Sequence, residues 1–186
     1  MFSNVTAGDN TPDCVNVIIE IPAQSNPVKY ELDKKMGAMI VDRFMATAMV
    51  YPCNYGFVPR TLCEDGDPLD VLVVTPYPLQ FACVISCRVI GVLRMTDEKG
   101  GDSKILAVPA TKLTPIYHAV RDYRDLPELM IHTISHFFGH YKDLEDGKWV
   151  NIDGWFGLDE AKAEVLDSIK RYQETEETGK NSAIPA

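Results

Sequence analysis

Three aspartates, Asp65, Asp67 and Asp70, fall within the stretch EDGDPLDVLVV (64–74), and an apolar run follows them at once. Like charges repel, and a buried carboxylate without a partner is costly. Crowding of this kind needs cations, and a hard, all-oxygen donor set suits Mg2+ or Mn2+. In an extended segment residues two apart share a face, so Asp65 and Asp67 point the same way until Pro68 turns the chain. A second acidic pair, Asp97 and Asp102, flanks the turn Lys99-Gly100-Gly101, and a hairpin there brings the two close. Lys104 lies two residues beyond Asp102, on the same face. Lys29, Glu31 and Asp33 share one face of VKYELD; Arg43, Tyr51, Tyr55, Tyr141 and Lys142 complete the inventory. Carboxylates for metals, cations for an anion and hydroxyls to orient it suit metal-assisted phosphoryl transfer to water.

Each piece has a plainer reading. D-G-D-P alone is a reasonable turn. It is not an EF-hand: counted from Asp65, the sixth position is Asp70 rather than Gly and the twelfth is Pro76 rather than Glu. A charged hairpin tip is usually solvated, Lys29 and Glu31 could form a surface ion pair, and Tyr51 and Tyr55 could be core residues. His132, His136 and His140 fall at i, i+4 and i+8, one helical stripe. That stripe could be a metal-ligand set or a catalytic base; a subunit contact is the favoured reading. No G-x-x-x-x-G-K-[ST] phosphate loop occurs.

The elements that must position these residues are mostly short strands. Runs at 15–21, 28–33, 38–44, 70–74, 83–95 and 104–108 are separated by Pro- and Gly-bearing turns, a spacing that predicts a closed or nearly closed sheet. The runs are continuous rather than alternating, so much of the sheet should be buried. Two helices come late. The first spans 128–142, with Pro at its front; the second spans 159–174, with Ala163, Leu166, Ile169 and Tyr172 at helical spacing. KWVNI, between them, predicts one more strand. The expected organisation is a single α+β domain over 1–175 with a polar, frayed tail at 176–186.

Composition narrows the function. At 186 residues, 46% apolar and 24% charged, the chain reads as an ordinary globular domain with a proper core. A net charge of −9 argues against nucleic acid or anionic membrane as partner, since both need a basic footprint. Five cysteines with no C-x-x-C pair argue against a zinc site and, with no evident signal peptide, suggest reduced thiols in a cytoplasmic protein.

The D-x-D-P-hydrophobic-D pattern of EDGDPLDVLV resembles the signature of family I soluble inorganic pyrophosphatases. VKYELD, VDRFM, MVYPCNYGFVP, TPYPL, GVLRMTDE, DSKILAVP, DLPEL and HFFGHYKDLEDGKWV resemble the bacterial members in order, over roughly residues 15–172. The resemblance implies a distorted five-stranded, OB-like β-barrel with flanking helices. It implies Mg2+-dependent hydrolysis of pyrophosphate to two orthophosphates by direct attack of a metal-activated water, with several Mg2+ per site and Mn2+ or Zn2+ as substitutes. By motif, Asp65, Asp70 and Asp102 resemble ligands of the tight metal. Asp97 and Asp102 resemble ligands of a further one, and Glu20 and Glu31 outer acids. Asp67 resembles the general base, Tyr55 a hydrogen-bonding partner, and Lys29, Arg43, Lys104, Tyr141 and Lys142 the phosphate grip. Members of this length resemble homohexamers, dimers of trimers, with the histidine stripe at a subunit contact. The competing readings are an OB-like binding module without catalysis, which predicts a basic aromatic groove, and a hydrolase of nucleoside polyphosphates.

Overall fold

The computed structural model describes residue 2 and residues 4–33 and 36–182. Its strands are β1 (Cys14–Ile21), β2 (Val28–Asp33), β3 (Ala38–Phe44), β4 (Asn54–Phe57), β5 (Asp70–Val73), β6 (Val84–Asp97), β7 (Gly100–Pro109) and β8 (Val150–Phe156). The helices are α1 (Glu128–His140) and α2 (Leu158–Ser182). β1 pairs with β4 and β6, β4 with β5, β5 with β7, and β7 with β6, so five strands close a ring. The long β6 carries β7 along one edge; its first half takes β1 on the other edge and its second half β8. β2 and β3 form a separate two-stranded ribbon. Among the described residues no helix is long and apolar enough to cross a membrane.

The continuous apolar runs are explained by burial on both faces. Val71, Leu72 and Val73 are all fully buried. Leu72, Leu93 and Leu106 pack with Ile131, Ile134, Phe137 and Phe138 of α1. Val71, Val73, Ile105 and Ala107 pack instead with Ala161 and Val165 of α2. Alternate residues of one strand therefore serve two cores.

Three expectations need correction. NYGF forms a strand, β4, that its Asn and Gly disguise. Gly56 is required there: a Cβ would lie 2.0 Å from the Ile18 carbonyl oxygen of β1. The buried stripe of α2 is Ala161, Val165 and Ser168, with Ile169 of the expected stripe packed against the same core, but Ala163 and Leu166 lie off it; Leu166 is half exposed. Ser168 enters the seam because its hydroxyl donates to the Val165 carbonyl at 2.9 Å, so it is buried satisfied. Finally, α2 continues through Ser182 rather than ending at 174. Gln173, Glu174, Glu176 and Glu177 are good helix formers, and the Thr178 hydroxyl donates to the Glu174 carbonyl. The remainder of the expected tail, 183–186, lies outside the described residues.

Candidate active site

The register of the ring gathers the acidic residues at one end of one sheet face. Asp70, the first residue of β5, is paired with Lys104 of the parallel β7, and Leu72 with Leu106. Across the β6–β7 hairpin, Lys104 faces Leu93, Asp102 faces Met95, and Gly100 faces Asp97. By alternation, Asp70, Lys104, Asp102 and Asp97 share the face whose deeper half is the α1 core. Asp97 and Asp102 are thus diagonal neighbours, as the hairpin predicts. Glu20 reaches the same place by an irregularity. Ile19 faces Gly56 and Ile21 faces Tyr55, which leaves Glu20 as the extra residue of a bulge in β1.

These residues line a cleft of about 440 Å³, roofed on one side by the β2–β3 ribbon and walled by Phe138, Tyr141 and Lys142 from the end of α1. Of the sixteen residues singled out from sequence, thirteen line it: Glu20, Lys29, Glu31, Arg43, Tyr55, Asp65, Asp67, Asp70, Asp97, Asp102, Lys104, Tyr141 and Lys142. His132, His136 and His140 do not. They are exposed on the side of α1 away from its core, with His136 and His140 ring centroids 4.6 Å apart and His140 Nδ1 2.9 Å from Asp143.

The charges are interleaved. Lys104, 3% exposed, places Nζ 2.8 Å from Asp70 Oδ2 and 3.0 Å from Asp102 Oδ2. Burial alone would lower its ammonium, but Asp102 and Asp70 outweigh that and hold it well above its ordinary value. Burial pushes the Asp70 carboxyl up, against the opposing pull of Lys104. Tyr55 hydrogen-bonds Asp70, and burial followed by the Asp70 charge keeps its hydroxyl protonated far above the usual range. Lys142 Nζ donates to Asp97 Oδ2 at 2.7 Å, and the Lys99 N–H donates to Asp97 Oδ1 at 2.8 Å. Burial opposes ionisation of Asp97, yet these hydrogen bonds hold it below its ordinary value. Glu20 accepts the Leu32 N–H at 2.8 Å, and burial pushes it up to about 8. Lys29 pairs with Glu31. Asp65 Oδ1 accepts the Asp67 N–H at 3.0 Å, a local turn with Gly66 at φ 88° between them. Asp33 caps the ribbon's own turn through the Met36 N–H.

Tyr51, part of the inventory but with no assigned role, is buried in the cleft wall with its ring 5.2 Å from that of Tyr55. Other participants have no role assigned from the sequence. Glu98, Lys99 and Lys148 also line the cleft. Asp42 pairs with Arg43 Nη1 at 2.9 Å, and Glu145 accepts from Arg43 Nε at 3.3 Å. Asp42 and Glu98 are chain neighbours of Arg43 and Asp97, and Lys99 belongs to the turn between Asp97 and Asp102, so adjacency is the available signal. Glu145 and Lys148 sit in the loop before β8, within HFFGHYKDLEDGKWV, and nothing local ties either of them to the cleft.

Nine carboxylates and six cationic side chains line the cleft. The excess is negative, and an anion would be repelled unless further cations joined it. Among the described residues no three of His, Cys, Asp and Glu are drawn together as a ready metal-ligand set, since Lys104 stands between Asp70 and Asp102. The donor chemistry nonetheless fits a hard divalent ion: the acidic groups are all carboxylates, and burial of Asp70 and Glu20 penalises their charge.

A family model described as inorganic pyrophosphatase matches residues 17–173. An inorganic pyrophosphatase of Salmonella typhimurium is 59% identical over 168 residues, 90% of this chain and 96% of its own. One from Escherichia coli K12 is 58% identical over the same lengths. The solved structure of an inorganic pyrophosphatase from Coxiella burnetii superposes with a TM-score of 0.88 at 52% identity, covering 90% of this chain and 99% of that one. The Thermus thermophilus enzyme gives 0.87 at 44% identity, covering 91% and 97%.

Proposed function

The chain belongs to the inorganic pyrophosphatase family, and we propose that it hydrolyses pyrophosphate to two orthophosphates in this cleft with Mg2+ as its activating ion. The observation that carries the proposal is the excess of carboxylates in a cleft that also holds a phosphate grip. A polyanion needs both that grip and added divalent charge.

Asp65, Asp70, Asp97 and Asp102 would hold Mg2+, with Glu20 and Glu31 acting as outer acids and Mn2+ or Zn2+ as substitutes. When bound, Mg2+ supplies Lewis-acid polarisation and lowers the pKa of a water. Asp67 stands on the exposed turn of the aspartate loop and accepts the proton of the attacking water. Lys29, Arg43, Lys104, Tyr141 and Lys142 orient the two phosphates and neutralise charge on the leaving one. Tyr55 donates its hydroxyl proton to Asp70 and so fixes the direction of that carboxylate. No covalent enzyme intermediate is required.

The reading extends to assembly and place. A single catalytic domain forms a homohexamer, a dimer of trimers, in the cytoplasm, and the exposed histidine stripe of α1 is a subunit contact.

The test is phosphate release from pyrophosphate by the purified protein with Mg2+ and with excess chelator, with ATP run alongside. Rapid release that chelator abolishes, and little from ATP, is the expected result. No release from a folded, Mg2+-loaded sample would overturn it, and faster release from ATP would redirect the substrate to nucleoside polyphosphates.

A further inference from the structure

The aspartate loop must hold its carboxylates in place against their mutual repulsion, and what anchors it lies behind the cleft rather than in it. Thr61 sits at the base of the loop, 1% exposed. Its hydroxyl donates to the Val58 carbonyl at 2.6 Å and accepts the Leu69 N–H at 2.9 Å. The Val58 N–H donates in turn to the Leu69 carbonyl at 2.9 Å. Together these bonds tie the two ends of the loop to each other one residue before Asp70. Within it, the Cys63 N–H donates to the Asp67 carbonyl at 2.7 Å. Beside Thr61, the Leu62 N–H donates to the Ser168 carbonyl of α2 at 2.9 Å. Thr61 itself does not line the cleft.

We propose that Thr61 is a positioning residue for the reaction, its buried hydroxyl closing the loop so that Asp65, Asp67 and Asp70 converge. The inference rests on the roles proposed above for those three aspartates. The physical reason is the accounting of buried hydrogen bonds. A valine at 61 keeps the shape but leaves the Leu69 N–H buried without its acceptor, and a buried orphan donor drives the backbone to move until it finds a partner. Leu69 is adjacent to Asp70 and bonded through Thr61 to Val58, so the movement is passed to both arms of the loop.

The test is a graded series, Thr61→Ser, Thr61→Cys and Thr61→Val. Three quantities are read: kcat, Mg2+ affinity by calorimetry without substrate, and Tm. The serine variant should stay near the parent in both kcat and Mg2+ affinity, because it keeps donor and acceptor. The valine variant should lose about ten- to a hundred-fold in kcat, the scale of a small misplacement of reacting groups, and should bind Mg2+ more weakly. Cysteine, a weak donor and acceptor of similar size, should fall between, and it decides the matter if the valine variant does not fold. A series in which only Tm changes, with kcat and Mg2+ affinity at parent values, would overturn the proposal. So would an order that follows side-chain volume instead of hydrogen-bonding capacity. Failure of the underlying reading shows elsewhere, as parent-like kcat and Mg2+ affinity in Asp67→Asn and Asp70→Asn.

Discussion

Asp70 and Lys104 face each other directly across the parallel ladder of β5 and β7, with Nζ 2.8 Å from Oδ2, and the same ammonium holds Asp102 from two residues away. The cation at the centre of the carboxylate cluster is thus built into the strand register. Removing it with Lys104→Met should leave two partly buried carboxylates facing each other. Breaking a buried pair costs about 3–5 kcal/mol, so the metal-free variant should unfold at a markedly lower temperature. Mg2+ should raise Tm more in the variant than in the parent, because the incoming charge replaces the lost one. Equal Mg2+-induced shifts would count against Asp70 and Asp102 as ligands.

Asp67→Asn should fold normally and lose roughly 10²–10⁴ in kcat, the usual worth of a general base. Full activity would remove the assigned role. Asp70→Asn should raise the Mg2+ requirement more than Asp67→Asn does, which parallel metal titrations of activity would decide.

Glu20 predicts a pH dependence of stability in the metal-free protein. Its carboxyl is pushed up to about 8 by burial, so between its ordinary value and about 8 the folded state binds a proton that the unfolded state has lost. Stability then falls as pH rises through that window, by on the order of a few kcal/mol. Urea midpoints measured in chelator between pH 5 and about 8 should decline, and Glu20→Gln should flatten the decline. An unchanged slope in the variant would assign the pH dependence to another group.

Glu145 reaches Arg43 from outside the cleft, Oε1 3.3 Å from Nε, while its other oxygen lies 3.7 Å from Lys148 Nζ. Asp42 holds Nη1 at the same time, which fixes the plane of the guanidinium. Glu145→Ala should raise the KM for pyrophosphate roughly two- to five-fold with little change in kcat, as expected for a partly buried ion pair that orients a binding group. The effect should vanish in an Arg43→Ala background; full additivity would mean that Glu145 acts elsewhere.

If the stripe of His132, His136 and His140 is a subunit contact, His136→Glu should place repelling charge in it and shift the assembly to smaller species in sedimentation velocity. A hexamer unchanged in the variant would move the contact to another surface.

Much of the site was legible because its signals are local. Asp65, Asp67 and Asp70 crowd one turn, Asp97 and Asp102 straddle another, and alternation puts Lys104 on the face of Asp102. The β4 strand was not legible: Asn54 and Gly56 carry no strand preference, and Gly56 is there for the close approach of β1. The phase of α2 is only partly legible: Ile169 packs as its spacing predicts, but Ser168 is buried by virtue of a hydrogen bond that hydropathy does not register. Glu145 and Arg43 are 102 positions apart, and nothing in either segment indicates the other.

The sequence by itself determined which chemistry was available: the carboxylates, the cations, the turns that present them and the apolar runs that make a sheet. Only the tertiary structure decided the pairings. Strand register set Asp70 against Lys104, a bulge turned Glu20 inward, and a buried threonine tied off the aspartate loop. These are contacts between distant segments, and they arise from closing the ring of strands, which no local preference encodes.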